Sequence, residues 1–342
     1  MNSPLLSIAI PTYNRSAYLK SNLVQLTKEL EQIRNTELVE IIVSDNNSSD
    51  STSEVINEII ESGLAIRYYK NNENIGWGRN FLQCYNLAIG KYLLILGDDD
   101  ILYDGSLKII IENIKNKELG IIFLRPYGYD KDYIEEYPGI CGEIKEYDNL
   151  PFFLRKIGAT VSLISSCIVN KSLISDIVFN SIDPGNFAHV HLILNAFVRS
   201  KRNLIINHFI VGCKRNNSSN YDFSELFVTE FWSIMDQYKG EIITEDLIRQ
   251  LEKDQIFSYY PFYLFQQQIY KSKDLVFAKK NFDKRFKHNF LYHFWLRPII
   301  TFPRPFAIVW GAITTLVGRV SNKEGLRGVR FFLNKVISLK RG

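Results

Sequence analysis

Three consecutive carboxylates, Asp98-Asp99-Asp100, close the apolar run Tyr92-Leu93-Leu94-Ile95-Leu96-Gly97. A short run of this composition reads as a strand buried on both faces. Carboxylates this close repel one another and cannot be buried without partners, so the strand end calls for a counter-charge. A divalent cation supplies one, at the carboxyl ends of the strands where open α/β sheets place their ligands. The same residues also read as a solvated acidic turn before a helix capped by Asp104-Gly105-Ser106.

Three further clusters stand at the ends of expected strands: Pro11-Thr12-Tyr13-Asn14-Arg15, Asp45-Asn46-Asn47-Ser48-Ser49-Asp50 and Asn74-Ile75-Gly76-Trp77-Gly78-Arg79-Asn80. A doubly wound sheet would bring all four loops to one crevice. They offer a ring to stack on a base, amides and carboxylates for base and ribose, an arginine for phosphate and acidic oxygens for a cation.

The elements that must position them alternate. Leu5–Ile10, Val39–Val43, Ile66–Tyr69, Tyr92–Leu96 and Gly120–Leu124 read as strands. Between the first two, Leu19, Leu23, Leu26 and Leu30 line one helix face. Asp50 caps a helix through Val55, Ile56, Ile59 and Ile60; others run over Phe81–Ala88 and Leu107–Ile114. Strands separated by such helices make right-handed crossovers in a mostly parallel sheet. Residues 126–160 are punctuated by Tyr, Pro and Gly, which suits loops or a short antiparallel excursion over a site. Val161–Val169 and Leu204–Val211 are further expected strands around a helix over Leu192–Phe197, and from about Asp222 the chain turns helical and aromatic.

A chain of 342 residues, 46% hydrophobic and 23% charged, is a folded globular protein, with one large domain and an appendage. Its four scattered cysteines suit a reducing compartment and argue against a disulfide framework or structural zinc. The N-terminus lacks a signal peptide's basic region. The longest apolar stretch, Phe306–Gly318, falls short of the ~18 residues of a spanning helix. Charge is uneven: residues 271–342 carry 16 Lys and Arg against 3 acids, a net of +13, and the rest of the chain nets −9. Such a tail is expected to meet something anionic.

Ile8-Ala9-Ile10-Pro11-Thr12-Tyr13-Asn14-Arg15 and Ile41-Ile42-Val43-Ser44-Asp45-Asn46-Asn47-Ser48-Ser49-Asp50, with the two later motifs, resemble the GT-A glycosyltransferases of family 2 over residues 5–215. Within that family the chain looks most like O-antigen transferases of the abequosyltransferase type. Those share Asn74-Ile75-Gly76…Arg79-Asn80-Phe81-Leu82, Ser165-Ser166 before Ile168-Val169-Asn170-Lys171, and Phe187-Ala188-His189-Val190. The resemblance implies an α/β GT-A fold over residues 1–220, comprising a nucleotide-sugar half (1–125) and an acceptor half (126–220). A helical, basic C-terminal extension follows over 221–342.

It also implies site roles. Pro11, Thr12, Tyr13, Arg15, Asp45 and Asn47 hold the nucleotide, with Gly76 beside them and Arg79 near the diphosphate. A cation (Mg²⁺ or Mn²⁺) falls to Asp98, Asp99 and Asp100. Aligned on the last two carboxylates, the family's first aspartate lands on Gly97. Asp99 is then the leading ligand, Asp98 takes the ribose and Asp100 assists catalysis; a one-residue slip instead pairs Asp98 with Asp100. Where family members place a Glu-Asp pair as acceptor-side base, this chain reads Ala188-His189-Val190-His191. His189 is the expected base there, able to act near pH 7 as a neutral imidazole. Without a carboxylate at that place the stereochemical outcome is open.

The implied reaction is hexosyl transfer from a nucleotide sugar, such as a CDP-3,6-dideoxyhexose, to a lipid-linked oligosaccharide in surface-polysaccharide synthesis. A nucleotidyltransferase lacks support because Pro11–Arg15 is not a Gly-rich phosphate loop; intact Asp98–Asp100 argues against a silent sugar-binding relative. Residues 286–320 interleave Phe290, Trp295, Phe302, Phe306 and Trp310 with arginines, which suits the headgroups of an anionic membrane and equally a packed C-terminal subdomain with a solvated basic face. The expected location is cytoplasmic, peripheral on the inner face of the cell membrane. No nucleic-acid motif accompanies the charge.

Overall fold

Strands β1 (Leu6–Thr12), β2 (Val39–Asp45), β3 (Ile66–Lys70) and β4 (Tyr92–Ile95) run parallel, with β1 between β2 and β4 and β3 outside β2. Every residue of β1 and β4 is buried, because helices cover both faces of the sheet. Helices α1 (Ser16–Glu31), α2 (Thr52–Glu61), α3 (Trp77–Leu87) and α4 (Ser106–Ile114) are the crossovers. Leu19, Leu23, Leu26, Ile56 and Ile59 pack with Ile8, Ile10, Val43 and Leu94 in one core. The computed structural model describes residues 3–140, 142–177, 179, 185–215, 222–270 and 275–321. The chain divides into two compact units, Met1–Ser219 and Asn220–Gly342.

The rest of the first unit contains β5 (Ile101–Leu102), β6 (Ile121–Tyr129), β7 (Ile144–Tyr147), α5 (Leu150–Ile157), β8 (Cys167–Asn170), α6 (Ala188–Arg199) and β9 (Asn203–Lys214). The sheet order is β3-β2-β1-β4-β8-β6-β9-β5, with β7 also on β9. Among the described residues four pairings are parallel and four antiparallel, so the expected mostly parallel sheet is in fact mixed. Strand β8 is the turning point: Ile168 lies opposite both Leu94 and Ile122 and runs against each. An apolar run carries no sign of its direction, which is why periodicity missed this. The expected strand Val161–Val169 shrinks to Cys167–Asn170, preceded by 3₁₀ turns. Ser166 Oγ donates to the carbonyls of Thr160 and Leu163, which favours turns over a ladder.

The cap of α4 also departs from expectation. Gly105 sits at its N-cap with φ +79° and offers no side-chain oxygen. The buried Glu29 of α1 supplies the cap instead, its carboxylate accepting from the amides of Gly105 and Leu107 at 2.8 Å each.

The second unit holds α7 (Phe231–Gln237), α8 (Glu245–Asp254), α9 (Tyr260–Tyr270), α10 (Leu275–Phe286), α11 (Arg297–Thr301) and α12 (Arg304–Ser321), with π-helical turns at Glu225–Glu230, Gln255–Tyr259 and Tyr292–Leu296. Its core is aromatic, built on Trp232, Tyr260, Phe282 and Phe286. Trp295 and Trp310, expected at a membrane surface, are half-buried and face inward. Trp295 stacks on Phe257 and donates to its carbonyl at 2.9 Å, and Trp310 donates to the Trp295 carbonyl at 3.0 Å. An indole N–H taken out of water needs such an acceptor. The remainder of the basic tail, 322–342, lies outside the described residues.

Candidate active site

Beyond β4 the chain turns sharply, Asp100 N donating to Gly97 O at 3.1 Å. Asn22 of α1 clamps this turn, its amide donating to the carbonyls of Gly97 (3.0 Å) and Asp100 (2.6 Å). All three aspartates are buried, at 4%, 7% and 6% exposure. Thr12 Oγ1, at the end of β1, donates to Asp98 Oδ2 at 2.8 Å. The Arg15 guanidinium spans the next gap, with Nη1 2.7 Å from Asp98 Oδ1 and Nη2 2.9 Å from Asp99 Oδ2. Asp100 faces elsewhere: Ser165 Oγ donates to its Oδ2 at 2.5 Å and itself accepts the Gly97 amide at 2.9 Å.

Arg15 pairs with two of the three buried carboxylates, and the imbalance shows in the acidity of Asp98 and Asp100. Burial pushes Asp98 up to about 7, with Arg15 pulling it back and the Asp99 charge pushing it further. Burial, then the Asp99 charge, lifts Asp100 to about 7 against the Ser165 hydrogen bond. The Cys213 thiol, buried against Asp100, is raised well above its ordinary value, chiefly by burial. Near neutral pH a proton can move on and off this cluster.

The nucleotide-side residues are placed at the neighbouring strand ends. Pro11 lies in β1 opposite Ser44, and Tyr13, 43% exposed, follows it. Asp45 is fully buried, its oxygens accepting from the Ser48 amide and the Tyr68 hydroxyl at 2.8 Å each. It thus acts by holding its loop. Asn14 and Asn47 adopt left-handed backbone (φ 52° and 66°), and Asn14 ties the two loops together, its amide donating to Ser48 Oγ and its Oδ1 accepting from the Ser49 amide. Gly76 needs its φ of +81° to start α3, and Arg79 on that helix is exposed. Arg15, expected on the nucleotide, is engaged by Asp98 and Asp99 in this structure.

His189 is also corrected. Its ring is 4% exposed and packs edge-on to Phe81, with Phe187 tilted against it. Nε2 donates to the Ser162 carbonyl at 2.9 Å, which leaves Nδ1 unprotonated, buried and without a hydrogen-bond partner. Burial lowers its basicity to about 4. A base for neutral pH needs an accessible nitrogen and a matched pKa, and burial denies this ring both. His191 is buried as well, and burial lowers it too.

The aspartates do not form the expected three-carboxylate cage: among the described residues no three His, Cys, Asp or Glu side chains are grouped to hold a metal. Thr12 and Arg15 hold Asp98 through both of its oxygens, which fixes its orientation. Asp99 Oδ1 and Asp100 Oδ2 border the space where a Gly97 side chain would lie, 3.3 and 3.0 Å from its Cβ position. Hard oxygens with excess buried negative charge fit a cation of the Mg²⁺ type, which takes one or two carboxylates and completes its shell with substrate phosphate and water.

Several site residues escaped the sequence reading. Ser165 stands in the sequence only as part of a motif, and Cys213 carries no signal there. Asn22 did leave one, a polar residue inside the stripe Leu19, Leu23, Leu26. A carboxamide network was missed too: Asn46 accepts from the Ile75 amide (2.9 Å) and Asn71, and donates to Asn74 (2.8 Å), while Asn80 exchanges bonds with Ser44. It pins the segment bearing Gly76 and Arg79 to the end of β2.

The family model for glycosyl transferase family 2 matches residues 7–177, half of the chain. Abequosyltransferase RfbV of Salmonella typhimurium is 31% identical over 210 residues, covering 56% of this chain and 61% of that protein. The GalNAc(5)-diNAcBac-PP-undecaprenol beta-1,3-glucosyltransferase of Campylobacter jejuni is 35% identical over 112 residues, 32% of this chain and 34% of that protein. The chain thus spans at most about three fifths of these curated relatives. Among solved structures, residues 1–349 of S. aureus TarS superpose with a TM-score of 0.59 at 17% identity, over 92% of this chain and 91% of that one. That protein has also been solved with UDP-GlcNAc (TM-score 0.58, 16% identity, covering 94% and 92% of the two chains). At such identities the likeness establishes a shared GT-A glycosyltransferase fold.

Proposed function

The chain belongs to glycosyl transferase family 2, and from this we propose that it transfers a sugar from a nucleoside-diphosphate sugar to the hydroxyl of a lipid-linked oligosaccharide. The observation that carries the reading is the Thr12–Asp98–Arg15–Asp99 cluster, buried at the carboxyl ends of β1 and β4 beside two loops in left-handed backbone. A divalent cation held by Asp99 would offset charge on the departing diphosphate. Arg79 adds a guanidinium on the same leaving group, Tyr13 offers its exposed ring to the base, and Thr12 and Arg15 hold Asp98 toward the ribose.

The acceptor oxygen attacks the anomeric carbon as the bond to the diphosphate oxygen breaks, and the hydroxyl proton goes to Asp100. Asp100 is the acceptor of that proton, and Ser165 fixes its orientation. The name of the Salmonella relative supports abequose, a 3,6-dideoxyhexose, as the transferred sugar, and that of the Campylobacter relative a polyprenyl-diphosphate-linked acceptor. Such an acceptor places the work at the inner face of the cell membrane, with the basic C-terminal region against anionic headgroups.

The test is a panel of nucleotide sugars, with and without Mn²⁺, scored for protection against thermal unfolding. A donor at 100 times its dissociation constant adds ~2.7 kcal/mol. Protection by one sugar nucleotide, followed by transfer of that sugar to a polyprenyl-diphosphate glycan, supports the proposal. A protein that no sugar nucleotide protects would refute it.

A further inference from the structure

Helix α12 is inside out. Its buried residues are Ala307, Gly311, Thr314, Thr315 and Gly318. Five of its large apolar side chains point the other way: Phe306, Val309, Ile313, Val317 and Val320 are 68%, 59%, 44%, 40% and 61% exposed, and Phe302 just before the helix is 49% exposed, whereas Ile308, Trp310 and Leu316 are half-buried. Their spacings of four, three, four, four and three residues place all six on one stripe. A helix packed in water does the opposite, because burying large apolar groups is what stabilises it.

The small face is used for close approach, not left there by chance. A Cβ on Gly318 would lie 2.6 Å from the Phe257 carbonyl oxygen, and one on Gly311 would lie 3.2 Å from Phe265. The helix is thereby seated tightly on α9 and the Gln255–Tyr259 turn. Thr314 returns its hydroxyl to the carbonyls of Trp310 and Gly311, which keeps that face free of unmet polar demand at this position. Small residues toward the protein and large apolar ones outward is how helices pack when the surrounding medium is itself apolar. No described helix is long and apolar enough to cross a membrane, so this one would lie in the interface plane.

The charge of the same segment selects the partner. Residues 275–321 hold eight Lys and Arg against one acid, Asp283. That acid is already engaged by the Tyr292 hydroxyl (2.8 Å) and by Arg297 (3.1 Å). Lys279, Lys280, Lys284 and Lys287 are exposed. We propose that the Phe302–Val320 stripe is a membrane-inserting face that seats the second unit in the headgroup layer of an anionic bilayer, with these lysines on the lipid phosphates. The inference deepens the membrane part of the proposed function and needs none of its catalytic part. It also replaces the tryptophans with the aliphatic stripe as the inserting element.

The test is flotation of the full-length protein with vesicles of phosphatidylcholine alone or mixed with phosphatidylglycerol, at low and at high salt. Screening removes the lysine contribution and leaves insertion. The wild type should stay on the mixed vesicles at high salt. Ile313→Asp/Val317→Asp should lose that salt-resistant fraction by about tenfold or more, with melting temperature and donor binding unchanged. Ile313→Ser/Val317→Ser serves if the aspartate pair disturbs folding. Equal high-salt binding by the wild type and both pairs overturns the stripe and leaves an electrostatic membrane contact. Failure of the wild type to bind mixed vesicles even at low salt overturns the membrane reading as well, while the transfer reaction stands or falls on its own assay. Light scattering that shows the wild type dimeric and the variants monomeric, with vesicle binding equal, would assign the stripe to a second copy and overturn the proposal.

Discussion

Replacing Arg15 with methionine keeps most of the side chain's bulk and removes the charge that holds Asp98 and Asp99 together. Two charge-assisted hydrogen bonds disappear, at 2.7 and 2.9 Å, between groups whose side chains are 23%, 5% and 8% exposed. Breaking a buried pair by deleting one partner costs ~3–5 kcal/mol, since the other charge stays behind. The partial exposure of Arg15 sets the expectation near the lower end, about 3 kcal/mol at pH 8. The loss must depend on pH, and its sign follows from Asp98. That carboxyl stands at about 7 in the folded protein even with Arg15 beside it. Between its unfolded value and 7, the folded state holds a proton that the unfolded state has released, so stability falls as pH rises through that window.

Without Arg15 the window extends upward, each further unit costing ~1.4 kcal/mol above it. At pH 5 Asp98 is protonated in both proteins and most of the difference vanishes. Urea unfolding followed by far-ultraviolet circular dichroism at pH 5 and pH 8 measures both values. Arg15→Met/Asp98→Asn should recover much of the pH 8 loss, and the double-mutant cycle isolates the pair. An equal loss at the two pH values, or none at pH 8, would refute the coupling.

Asp99→Ala should nearly abolish turnover and the effect of Mn²⁺ on donor binding while the melting temperature holds, because a like charge leaves the cluster; full activity of the variant in EDTA would remove Asp99 from the metal site. Arg79→Ala should weaken donor binding by ~1.5–3 kcal/mol, the worth of a charged hydrogen bond, and leave acceptor affinity alone; calorimetry with the donor decides, and an unchanged constant returns Arg79 to the ordinary surface. His189→Gln should keep the wild-type pH–rate profile. Its folded value is depressed to about 4, so it contributes stability above its unfolded value that is lost as pH falls from there toward 4, and the variant's stability should lack that loss. A fall in rate of ~10² or more with normal donor binding would restore it as the base.

Local chemistry made much of this protein legible in its residues. The parallel order of β1 to β4, the helices between them and the gathering of four polar loops follow from apolar periodicity broken by Pro, Asn, Asp and Gly. Those are local signals, and a buried strand must end where its polar residues begin. What a side chain does at such an end depends on who meets it, and that is decided over long sequence distances. Asp98 is met by Thr12 and Arg15, more than eighty residues away, and Asp100 by Ser165, sixty-five away. The acid triplet therefore divides, two members sharing an arginine and the third turned to a serine, although the sequence presents them as equals.

His189 reads as a base because imidazole titrates near neutrality. Burial between Phe81 and Phe187 takes that property from it, and burial is not a property of residue type. The direction of β8 was hidden because its apolar residues suit either sense, and only pairing with β4 and β6 chooses. In α12, composition announced a basic, aromatic region. Which face was buried was settled by the clearance at Gly311 and Gly318, where backbone and ring come too close for any larger residue, leaving phenylalanine, valine and isoleucine outside.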